Sequence, residues 1–325
     1  MALAHKASEY ADHEGNNMSE LNRREFMTIT AGVGALAASA GSMQKASAAD
    51  TSGLIVCMHG VTSSGFDFRT AMEGWSRAGI RAVEPDLEKA RAWEQANGAG
   101  SARKVLDDLG LVAYSSTNQL LLEETGPQRE AAVENLRWKV AMAESLGASR
   151  LVIPSAASQQ HLMPDYDEVY ENLHEAAEIA KPHNVALMVE FTRNSRLIGN
   201  VRSSLQVVRA VNHSHLKFMI DVYHLWAGTS KFEDLDLIKA GEIHHCHFQD
   251  MPALPLVEVA EQKDRAYPGE GVAPLQRILN KLVELGYNRA LSLELFDMTV
   301  RNTDPFVVAS RGIETITPYI EAARG

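Results

Sequence analysis

Between residues 54 and 323 of this 325-residue chain, eight strand-length apolar runs alternate with helical patterns, and that alternation restricts the fold most. The runs are Leu54–Met58, Arg81–Glu84, Val112–Tyr114, Arg150–Pro154, Ala186–Phe191, Phe218–Val222, Ile243–Phe248 and Ala290–Leu295. Most are rich in Val, Ile and Leu without strict alternation, as parallel strands covered on both faces require. Val169, Leu173, Ala176 and Ala180 keep to one face of an intervening helix, as do Leu275, Ile278, Leu279 and Leu282 in another. Gly79, Gly147 and Gly286 stand as helix stops a few residues ahead of strands. A last helix from about Pro305 to Ala323 completes the count. Eight βα units in about 275 residues predict an α/β fold of the (β/α)₈ TIM-barrel type. A doubly wound open sheet competes, but it usually carries a glycine-rich nucleotide turn after its first strand. Here that strand runs into His59-Gly60-Val61-Thr62-Ser63-Ser64-Gly65, which lacks the spacing.

Residues 1–48 read as an export signal ahead of a single barrel domain, 49–325. Asn22-Arg23-Arg24-Glu25-Phe26 precedes a mildly apolar run, Met27 to Ala40, and Ala46-Ser47-Ala48 makes a small-residue cleavage site. Paired arginines before a weakly hydrophobic stretch resemble a twin-arginine signal, with Met1 or Met18 as the start. An anchoring helix fits less well, because Gly32, Gly34 and Gly41 weaken it and the run is too short to span a bilayer. The twin-arginine machinery is then an expected partner and the periplasm the expected location.

In such barrels chemistry sits at the carboxyl ends of the strands. Strands five to eight each end on a metal-binding side chain: Glu190, Asp221, His247 and Glu294. An unpaired buried carboxylate costs several kcal/mol, so three of them beside a histidine are best explained by a shared cation. Three oxygens and one nitrogen suit Mn²⁺, Mg²⁺, Co²⁺ or Zn²⁺, with manganese favoured. His245 shares a face with His247 but lies one layer deeper, whereas His244 and Cys246 point the other way. Cys57 and Cys246 read as buried thiols. In the first half His59, Glu84, Ser115 and Ser116 stand near strand ends, and Glu84, just before Pro85, could equally do no more than end its strand. His161 falls in a polar loop after the fourth strand.

The stretch from Glu190 to Phe296 resembles the xylose-isomerase-like superfamily of sugar isomerases and epimerases. The matching features are the strand-five Glu, Asp221-x-x-His224, His247-x-x-Asp250, Arg265-Ala-Tyr-Pro-Gly-Glu-Gly and Leu293-Glu294-Leu295-Phe296. Among subfamilies it most resembles 2-keto-myo-inositol isomerases, through the long insert between His247 and Arg265 and the Pro-Gly-x-Gly turn after it. The resemblance implies that Glu190, Asp221, His247 and Glu294 bind one metal and that His224 and Arg265 contact substrate. His59 is a further candidate for the sugar pocket. Glu190 and Glu294 would move the proton alpha to a carbonyl; Glu270 is expected to be solvated. The alternatives for the two contacts are a structural His224 packed beside Trp226 and an Arg265 that only caps its loop.

Charge narrows the partners. Without residues 1–48 the chain carries 27 basic and 37 acidic residues, a net −10 with no basic patch, which argues against nucleic acid. A stable membrane span is not expected, since 18 uninterrupted apolar residues occur nowhere; a homo-oligomer is compatible with the sequence. Three functions compete: a metal-dependent isomerase or epimerase of a keto-sugar or keto-inositol, a lyase, dehydratase or hydratase of 3-keto-glycosides or inososes at the same site, and an exported sugar-binding protein without turnover. A multi-zinc endonuclease ranks last, for want of first-half ligands and a basic groove.

Overall fold

The computed structural model describes residues 53–117, 127–155 and 166–325, all within one compact unit. Residues 1–48, expected from the sequence to direct export, and His161 lie outside the described residues. Eight parallel strands form the sheet: β1 Val56–His59, β2 Ala82–Glu84, β3 Val112–Ala113, β4 Arg150–Pro154, β5 Ala186–Glu190, β6 Leu216–Asp221, β7 Ile243–His247 and β8 Leu291–Leu293. Their order is β3-β2-β1-β8-β7-β6-β5-β4. The ends meet where Thr117, just beyond β3, bridges Val152 of β4 and the Ser116 carbonyl accepts from the Val152 N–H at 2.7 Å. The predicted barrel is therefore closed.

Parity along each strand separates two environments. Leu187, Val189, Phe218, Ile220, Cys246, Leu291 and Leu293 pack outward against the helices in the main core. Met188, Met219 and Val152 face one another inside the ring, as do Cys57, Ala82 and Ala290. One residue pair further along, the same inward parity delivers His59, Glu84, Glu190, Asp221, His247 and Glu294 to the top of the barrel.

Two departures from expectation have local causes. The segment after β2 forms two helices, Leu87–Asn97 and Ser101–Leu109, because Gly98 and Gly100 adopt positive φ between them. The β6–β7 register slips between Phe218 and Ile220, so β7 carries one extra residue before Asp221 pairs with His247. That irregularity sets the depth at which His247 meets the other strand ends. Among the described residues no helix is long and apolar enough to cross a membrane.

Candidate metal centre

Glu190, Asp221, His247 and Glu294 converge at the carboxyl end of the barrel, each at most 4% exposed. One donor atom from each lies within 4.8 Å of the others. His247 Nδ1 is 3.0 Å from Glu190 Oε1, 3.2 Å from Glu294 Oε2 and 3.5 Å from Asp221 Oδ2. Ligand bonds of about 2.1 Å place neighbouring donors of a tetrahedral or octahedral shell about 3.0–3.4 Å apart. The spacing and the donor chemistry both fit one divalent cation.

Each side chain of the cluster is aimed by local structure. Asp221 ends β6 and caps the short helix Val222–Ala227, accepting the His224 N–H at 2.9 Å through Oδ1. Gln249 Nε2 also donates to Oδ1 at 2.9 Å, which leaves Oδ2 turned to the cluster. Burial raises the Asp221 carboxyl, but Arg265 and His224 outweigh it and hold it well below the usual range. Glu294 follows the same balance, raised by burial yet held down to about 2 by Arg265, His247 and His59. Glu190 takes no hydrogen bond from Arg265, and burial pushes it up to about 8 despite the lowering pull of His247. The His247 imidazole is disfavoured as a cation by burial, but Glu294, Glu84 and Glu190 raise it well above its ordinary value.

Arg265 belongs to the cluster itself. Its Nη1 donates to Asp221 Oδ2 at 2.8 Å and to Glu294 Oε2 at 2.5 Å. The guanidinium lies between the Tyr223 and Phe296 rings, 4.6 and 4.7 Å from their centroids, and Nη2 is 3.2 Å from His224 Nε2. The insert that delivers Arg265 is pinned by Asp250, whose carboxylate accepts the N–H groups of Met251, Gly269, Gly271 and Ala273 at 2.9–3.1 Å. A Cβ at Gly271 would meet the Met251 carbonyl at 2.1 Å, which explains the glycine there. Glu270 points away and pairs with Arg311 on the surface.

The first half of the barrel also reaches the site. His59 Nε2 lies 2.6 Å from Thr117 Oγ1 and 3.5 Å from Glu294 Oε1. Glu84 is fully buried beside His245 and His247 rather than merely closing its strand. Ser115 contacts His245 at 3.2 Å, one layer down as the strand period predicts, whereas Ser116 donates to the Arg150 carbonyl and serves barrel closure. Thr117, Gln249 and Glu261 were not singled out from sequence. The first two are neutral residues that act by orienting carboxylates, and Glu261, 3.6 Å from His224 Nε2, lies in the irregular insert before Arg265, where no periodic signal marks it. A cavity of about 440 Å³ opens above the cluster, lined among others by His59, Thr192, His224, Glu261, Glu294 and Phe296. That volume suits a single sugar-sized ligand.

Residues 75–318 match the Xylose isomerase-like TIM barrel family. Among curated proteins the chain is similar to the inosose isomerase of Halalkalibacterium halodurans, 32% identical over 125 residues, covering 38% of this chain and 44% of that protein. It is also similar to the inosose isomerase of Bacillus licheniformis, 28% identical over 167 residues, covering 50% and 60%. The matches thus span about half the length of these relatives. Among solved structures, the IOLI protein with a bound zinc atom superposes with a TM-score of 0.76 at 17% identity, covering 82% of this chain and 98% of that one.

Proposed function

Because the chain belongs to the xylose isomerase-like TIM barrel family, we propose that it is a divalent-metal-dependent isomerase or epimerase of a keto-sugar or keto-inositol. The observation that carries this is the convergence of three buried carboxylates on His247 Nδ1 at the floor of a sugar-sized cavity. The inosose isomerases among its relatives favour a keto-inositol. The oxygen-rich donor set favours manganese over zinc.

Glu190, Asp221, His247 and Glu294 would hold the cation, which when bound would supply the Lewis acidity that polarises a substrate carbonyl and acidifies the neighbouring C–H. The protein does the rest. Glu190 and Glu294 stand at the ends of β5 and β8, three places apart in the ring, so they approach the substrate carbon from different sides. One carboxylate removes the proton and the other returns one. Return to the opposite face of the same carbon gives epimerisation. Return to the adjacent carbon, with a proton moved between the oxygens, gives isomerisation. Arg265 and His224 place donors where negative charge develops on the substrate oxygens. Asp221 and His247 hold the cation and take no part in proton transfer.

Turnover of a panel of inososes and free keto-sugars, assayed with Mn²⁺ and again after chelation, tests this reading. At least one substrate should be converted, with activity lost on chelation and restored by metal. Conversion that survives complete metal removal would contradict it.

The cavity also predicts the charge state of the substrate. Six carboxylates line it against Lys139, Arg265 and Arg301, and Arg265 is already paired with two of the metal-binding oxygens. Even with a divalent cation bound, six carboxylates against three basic side chains leave the lining net negative, so free sugars or cyclitols should bind more tightly than their phosphate esters. Competition assays check this, and tighter binding of the esters would contradict it.

We further propose that residues 1–48 direct export by the twin-arginine route to the periplasm, where sugars are met unphosphorylated. Residues 18–50 fused to a reporter should be exported, and Arg23→Lys with Arg24→Lys should abolish it. Export that persists in the double variant would count against the assignment.

A further inference from the structure

We propose that Glu84, at the end of β2, is a positioning residue of the metal centre: it accepts the Nε2–H of His247, keeps the proton on that nitrogen and so leaves the Nδ1 lone pair free to face the cation. The inference rests on the metal reading above. His247 presents its two nitrogens to two separate groups. Nδ1 faces Glu190, Asp221 and Glu294 at 3.0–3.5 Å. Nε2 is buried without an aligned hydrogen bond, and Glu84 Oε2 lies 3.3 Å away. A neutral imidazole offers a lone pair on one nitrogen only when its proton sits on the other. With Nδ1 turned to the cation the proton belongs on Nε2, and Glu84 is the carboxylate beside it.

Glu84 is itself fixed. It is fully buried, its Oε2 accepts from Ser292 Oγ at 2.9 Å, and the same oxygen lies 2.9 Å from His245 Nε2. Its Oε1 accepts from Thr117 Oγ1, which in turn contacts His59 Nε2. Partners from β7, β8 and the barrel-closing segment therefore hold the carboxylate in place, with Oε2 3.3 Å from His247 Nε2. A carboxylate that receives the distal N–H of a metal-bound histidine fixes its tautomer and raises its basicity, and loss of such a partner typically weakens metal binding 10–100-fold. Glu84 acts through His247 and does not touch the reacting carbon. A competing role, with Glu84 and His59 binding a second cation, predicts two metals per chain.

The test measures metal affinity and stoichiometry, not turnover. Metal-free wild type, Glu84→Gln, His247→Asn and the double variant are titrated with Zn²⁺ and with Mn²⁺ in competition with a chelator. The wild type should bind one metal, and Glu84→Gln should lose about 10–100-fold in affinity. In the His247→Asn background the same change should cost less than about twofold, because the imidazole it acts through is gone. Equal losses in both backgrounds, no loss in either, or two metals in wild type falling to one in Glu84→Gln would each overturn the proposal. Wild type that takes up no metal would overturn the metal reading before any variant is compared. A second measurement needs no variant. ¹⁵N-histidine spectra of the zinc-loaded wild type should show His247 protonated at Nε2, and a proton on Nδ1 would overturn the assignment.

Discussion

Glu190→Gln and Glu294→Gln should each lower turnover by about 10²–10⁴-fold, the usual cost of losing a general base, while the protein still takes up metal. Glutamine keeps the size of the side chain and one oxygen donor, but it cannot accept a proton at neutral pH. Both positions are nearly fully buried, at 3% and 4% exposure, so neither can be replaced in its role by a water-borne buffer. The two variants should also differ. In a two-base epimerase, one of them should still exchange the substrate proton with D₂O starting from one epimer only, because the remaining carboxylate reaches a single face. Steady-state kinetics together with the metal content of each variant checks this. Near-normal turnover in both would remove proton transfer from the account and favour a binding protein.

Asp221→Ala should behave differently, losing metal and activity together. Asp221 is the member of the cluster most constrained by the fold: Oδ1 is fixed by the His224 N–H and Gln249, and Oδ2 is directed to His247 Nδ1 and Arg265. Alanine removes a ligand oxygen, and it also frees Arg265, whose remaining carboxylate partner in direct hydrogen bond is Glu294. Metal affinity should fall by more than about 100-fold, beyond the range for loss of an outer-shell partner. Turnover at limiting metal should fall in parallel and recover in part at high metal concentration. A variant with full metal occupancy and little activity would instead assign Asp221 to the chemistry.

The sequence exposed the four residues of the cluster because each stands where a strand would otherwise stay apolar. Glu190 follows Leu187-Met188-Val189 and Glu294 follows Leu291-Ser292-Leu293, and a buried carboxylate in such a place needs a partner. Continuous apolar runs likewise marked all eight strands, with boundaries displaced by a residue or two, so His59 falls inside β1 and not after it. Glu84 was harder to assign, since Pro85 offers a sufficient local reason for a strand to end there. Its partners His245 and Ser292 lie 161 and 208 residues away in sequence, and nothing in local pattern announces such contacts. Arg265 was visible through its motif, but its insertion among the clustered carboxylates depends on the Asp250-pinned turn, a set of backbone contacts that leaves no periodic trace. The β6–β7 slip is equally silent in the sequence, although it decides which β7 residue pairs with Asp221.

The central claim is that this site moves a proton at the carbon next to a carbonyl. It is tested most directly by incubating the metal-loaded protein with inososes and free keto-sugars in D₂O and locating deuterium by NMR. The account predicts solvent deuterium in one C–H bond adjacent to the carbonyl, appearing at a rate comparable to turnover and suppressed by chelation and in the Glu190→Gln, Glu294→Gln double variant. Product formed with no deuterium at carbon, as a direct hydride shift would give, would contradict it.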